Sequence, residues 1–86
     1  MHVKVFDTHV RTRDGRYLHF DVLTNGGDQA QAQARQYAND WLASRGVQAA
    51  DVAASECLFC HSEVANPQVA EAIGRQGYSI IPLQGC

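Results

Sequence analysis

Two runs rich in β-branched and aromatic residues, 2–10 (HVKVFDTHV) and 16–23 (RYLHFDVL), flank Asp14 and Gly15, a pattern that reads as a β-hairpin. A two-residue turn at Asp14-Gly15 sets Arg13 opposite Arg16, Val10 opposite His19, His9 opposite Phe20, Thr8 opposite Asp21 and Asp7 opposite Val22. In that register Val3, Val5, Leu18, Phe20 and Val22 share the side expected to meet the core, with Asp7 and His9 toward its edge. Lys4, Thr8, Tyr17, His19 and Asp21 share the other side, beside Phe6 and Val10. A one-residue slip exchanges partners and sides, so these pairs hold only for that turn.

Beyond the hairpin, Asp28 is placed to cap a helix over 29–45, whose Ala30, Ala34, Tyr37, Ala38, Trp41 and Leu42 recur at helical spacing. Gly46 is its expected stop. Residues 47–56 read as a connector, followed by a short strand around Leu58 and Phe59. Asn66-Pro67 starts a second helix that continues to about Gln76 and stops at Gly77, with Val69, Ala72 and Ile73 inward. Residues 78–83 form a last strand, in which Pro82 requires an edge position or a strand end. The expected fold class is α+β: a single two-layer domain over 1–86, in the order ββαβαβ, with a mixed four-stranded sheet and two helices on one face.

At 86 residues with 45% apolar and 19% charged side chains, the chain has the balance of one globular domain. A formal charge of −2 with scattered Lys and Arg gives no footprint for nucleic acid. No apolar stretch approaches the length of a membrane span and the start is strand-like, so no membrane association and a cytoplasmic location are expected. Three cysteines is an odd count that favours reduced thiols over a disulfide scaffold.

The chemistry is concentrated in Cys57, Leu58, Phe59, Cys60 and His61, with a third thiol at Cys86. The C-x-x-C-H spacing matches c-type haem attachment, but no export signal is visible and the only methionine available as a second axial ligand is Met1. Cys57, Cys60, His61 and Cys86 carry the right donors for tetrahedral zinc or for thiol redox chemistry, with His9 or His19 as substitutes for one ligand. Leu58-Phe59, however, contains no turn former, and in a strand residues three apart point to opposite sides. The expected role of the cysteines is therefore apolar packing, without a cofactor, and zinc binding or a thiol-redox role is the alternative.

Asp7, His9, His19 and Asp21 are the remaining polar candidates. His19 and Asp21, with Thr8, are expected to cluster on one face of the hairpin, and Asp7 and His9 on the other. Asn25-Gly26-Gly27 before a helix resembles a phosphate loop only in part, because Asp28 stands where the anion would sit. No G-x-S-x-G, H-E-x-x-H or dinucleotide fingerprint is present. These readings favour a non-enzymatic binding or interaction module over an enzyme, with a homodimer contact as the expected use of any exposed part of the first helix's apolar stripe.

VFDTHV, the Asp14-Gly15 turn, HFDV at 19–22, SECLFCH at 55–61 and GYSIIPLQGC at the end resemble, in this order, a family of short uncharacterised bacterial proteins described as a domain of unknown function. The resemblance implies a compact α+β domain and no particular reaction.

Overall fold

Extended residues on both sides of a glycine turn form β1 (His2–Thr12) and β2 (Tyr17–Thr24) in a computed structural model that describes residues 1–85. The turn is one residue longer than two. Thr12 N–H donates to Arg16 O at 2.9 Å, and Gly15 N–H to Thr12 O at 3.1 Å. Gly15 sits at φ +91°, so 13–15 form a three-residue loop closed by a left-handed glycine. Adding a residue to the loop slips the register by one. His9 therefore faces His19, Asp7 faces Asp21, Thr8 faces Phe20 and Val10 faces Leu18, in place of the expected partners.

The chain continues through α1 (Ala30–Ser44), a 3-10 turn at Ala49–Asp51, β3 (Val52–Val64), α2 (Pro67–Gln76) and β4 (Tyr78–Gln84). The sheet order is β3-β1-β2-β4 and every neighbouring pair is antiparallel, not mixed. The reason is the route of α1, which returns the chain to the Thr12 end of the hairpin. β3 then runs parallel to β2 but docks beside β1. It is thirteen residues long, so much of the presumed connector is strand whose small residues Ala53, Ala54 and Ser55 carry little strand signal. Pro82 lies in the edge strand β4, where its missing N–H leaves no ladder bond unmade.

The helices cover opposite faces, so the domain has three layers rather than two. Phe6, Val10, Leu18, Phe20 and Val22 are buried against Ala30, Ala34, Ala38 and Leu42, four residues apart along α1. Phe20, fully buried, packs its ring 4.7 Å from that of Trp41. Val3, Val5 and Leu23, which alternate out of that set, are buried on the other face under Val69 and Ile73 of α2. Apolar residues of both parities at this end of the hairpin require cover on both sides.

α1 has no side-chain cap: Gln29 is its N-cap, and Asp28 does not take that role. Its end follows expectation, with Gly46 at φ +83° and bonds from Gly46 N–H to Ala43 O and Val47 N–H to Leu42 O. In α2 the Asn66 side chain accepts from Val69 N–H at 2.8 Å, and Gly77 at φ +93° turns the chain into β4. β3 ends opposite His2 and β4 begins opposite Thr24, so α2 passes from one sheet edge to the other. Its ten residues span about 15 Å, close to the roughly 14 Å across four strands. Lying crosswise at one end, α2 leaves the rest of its face uncovered.

Candidate functional site

On that uncovered face the hairpin brings together Asp7, His9 and His19. Positions 7 and 9 share a face of β1, and His19 is the direct partner of His9 on β2. The two imidazoles stack with centroids 4.1 Å apart and planes 13° apart. His9 Nε2 donates to one oxygen of Asp7 at 2.8 Å, and His19 Nε2 donates to the other at 2.5 Å. One carboxylate thus bridges two rings. Tyr17 completes the row: its hydroxyl meets His9 Nδ1, which accepts the hydroxyl proton when Nε2 carries the ring's hydrogen. The Arg11 guanidinium lies 5.2 Å above the Tyr17 ring.

The side chains of His9, Asp7 and His19 are 34%, 39% and 24% exposed, so the group is held in the sheet yet reachable from water. The hydrogen bond from His19, with that from His9, holds the Asp7 carboxyl below the usual carboxylate range against partial desolvation. Asp21, directly opposite Asp7, is pushed the other way by burial and then by the charge of Asp7. Glu56 is the β3 partner of His9. The patch therefore sets three carboxylates around two imidazoles. A shallow cavity of about 130 Å3 adjoins it, lined by His9, Arg11, Tyr17, Ala54, Ser55 and Glu56.

Of the other candidates, Thr8 lies on the opposite face, buried, with its hydroxyl within hydrogen-bonding distance of both Phe6 O, at 3.1 Å, and Cys57 Sγ, at 3.4 Å. Cys57 is buried beneath α1, and its burial pushes the thiol above its ordinary pKa. Cys60 is exposed, at an irregularity where Phe59 pairs with Phe6 and His61 with Val5, leaving Cys60 as the extra residue. His61 lies 3.3 Å from Glu63. The backbone through 57–60 is strand, and neither described cysteine belongs to a group of converging metal-ligating side chains. Cys86 lies outside the described residues. Tyr17 and Glu56 are members of the patch that sequence reasoning left out of its candidates: the signal for Tyr17 was its place two residues before His19 on a period-two strand, whereas Glu56 fell in the stretch read as a connector.

The chain belongs to the domain-of-unknown-function family DUF2024, whose match spans residues 1–83. It is similar to protein NE1680 from Nitrosomonas europaea, known from an NMR structure, with 44% identity over 100% of this chain and 99% of that one and a TM-score of 0.82. A comparison with curated proteins finds no match. Among the described residues no helix is long and apolar enough to cross a membrane.

Proposed function

We propose that this domain is a non-enzymatic binding module whose site is the open part of the sheet, centred on Asp7, His9, Tyr17, His19 and Asp21. The observation that carries this reading is the single carboxylate bridging two stacked, solvent-reachable imidazoles. A polar group placed only to be solvated has no need of such mutual orientation. The cavity beside the patch, at about 130 Å3, is well below the roughly 300–1,000 Å3 of metabolite pockets, which favours an ion or a small cationic group as ligand. Titrating labelled protein with zinc chloride, argininamide and inorganic phosphate tests the site. Saturable shifts of the Asp7, His9, Tyr17 and His19 amides with at least one probe are expected, and none with any of the three overturns the reading.

The cysteine run supports a metal or redox role less well, because the Cys57 thiol is buried with a raised pKa while Cys60 is exposed. The series Asp7, His9, Tyr17 favours a second reading, acid–base chemistry at the phenol, in which the carboxylate orients the imidazole that holds the hydroxyl proton. Hydrolysis of p-nitrophenyl acetate above the buffer rate, lost in Tyr17→Phe, would establish it; equal rates in both proteins remove it. Self-association has its natural place at edge strand β3, where Leu58 and Phe59 are half exposed.

A further inference from the structure

We propose that Asp7, His9 and His19 form a binding site for a first-row divalent transition-metal ion such as Zn2+, with two imidazole nitrogens and one carboxylate oxygen as its protein ligands. This deepens the reading of the open sheet face as the binding site and rests on it. The donor set selects the class of ion. Two nitrogens with one oxygen suit zinc, nickel, cobalt or copper, whereas calcium and magnesium take oxygen ligands.

The geometry fits such an ion. One ligand atom from each of the three side chains lies within 4.8 Å of the others, and ligands on a zinc ion with bonds of about 2.0–2.1 Å stand roughly 3.4 Å apart. Both Nε2 atoms already aim at the carboxylate, so the two ring protons occupy the place a cation would take. An ion held by both Nε2 atoms requires each neutral ring to carry its one hydrogen on Nδ1 instead, and that of His9 is accepted there by the Tyr17 oxygen. Tyr17 is thus a positioning residue, since a hydroxyl serves either tautomer and fixes the ring plane in both. Two ligands on β1 and one on β2, rather than on loops, limit the reorganisation needed.

Charge supplies an independent argument. Asp7 and Asp21 are direct cross-strand partners, an arrangement that repels, and Glu56 is opposite His9. Arg11 is the cation on the same row, engaged over the Tyr17 ring rather than paired with Asp7 or Asp21. A divalent ion at the bridge compensates the excess negative charge. Three protein ligands leave at least one coordination position open to water or a further ligand.

Untagged full-length protein stripped with chelator is titrated with Zn2+, following heat and imidazole nitrogen shifts. The expected result is one ion per chain, displaced Nε2 resonances of His9 and His19, and affinity that weakens as pH falls because ring protons compete. Asp7→Asn and His19→Ala are each expected to weaken binding at least about tenfold, and Tyr17→Phe by a smaller factor. Amide spectra verify that each variant is folded, and the near-isosteric Asp7→Asn keeps the test decisive if His19→Ala is not. His61→Gln and the double variant Cys60→Ser/Cys86→Ser are expected to bind as the parent does. Uptake lost in the cysteine variant but kept in Asp7→Asn overturns the proposal. If Zn2+ leaves the patch unshifted while argininamide shifts it, the metal site fails and the binding module stands; if no probe shifts it, both fail.

Discussion

Alternate residues of the same two strands build two unlike surfaces. Under α1, Phe6, Val10, Leu18, Phe20 and Val22 are sealed among alanines and Leu42, and the one polar side chain interleaved with them, Thr8, finds its partners within the protein. On the reverse, Asp7, His9, Tyr17 and His19 bond to one another beside water, and burial is confined to the end crossed by α2. The difference teaches that stability and chemistry are divided here by parity along a strand. Each face is free to change only in its own currency: volume on one, protons and ligands on the other.

That division predicts unequal responses to substitution. Phe20→Ala, which opens a cavity beside Trp41, is expected to destabilise by about 3–5 kcal/mol, whereas His19→Ala, its neighbour on the other face, is expected to lose less than about 1 kcal/mol. Urea denaturation of both compares the faces directly, and equal losses would break the comparison. Gly77→Ala tests the junction between α2 and β4: it forces a side chain into φ +93° with its Cβ 2.8 Å from the Tyr37 hydroxyl. A loss of about 1–3 kcal/mol is expected, read by the same denaturation.

The smaller effects lie in pH dependence, and they take opposite signs on the two faces. Asp7 has a lowered pKa in the fold, so its contribution is present above the unfolded value and lost as acid carries the pH down through the folded one. Asp7→Asn is expected to flatten that acid limb by less than about 1 kcal/mol, the carboxyl being well exposed. Cys57 has a raised pKa, so its contribution is complete below the unfolded value and declines as alkali carries the pH up through the folded one. Cys57→Ala is expected to flatten the alkaline limb above the pKa of the unfolded thiol. Thermal melts across the pH range measure both limbs.

The elements were legible where local chemistry specifies them. Asn66-Pro67 and Gly77 mark α2 because the cap, the proline and the left-handed glycine each act within a few residues. The alternating strands and the stripe of α1 follow in the same way. Register was not legible from Asp14-Gly15 alone, since the same dipeptide closes both two- and three-residue loops. A better signal was available: only the slipped register puts Phe6 and Val10 with Leu18, Phe20 and Val22, and Asp7 and His9 with His19. The expected placement of Asp7 and His9 on a different side from His19 followed from that one residue, and it hid the convergence of the three. The face of α2 was obscured too, because Val3, Val5 and Phe6 are buried in both directions and a run of mixed parity does not reveal how many layers it needs.

The crosswise course of α2 carries a mechanical consequence. Because its length matches the sheet's width, it ties β3 and β4, strands that never touch, into one cooperative unit around the central hairpin. Loosening the tie slackens both outer strands together, so amide hydrogens at the two margins are expected to exchange in concert, ahead of those in β1 and β2.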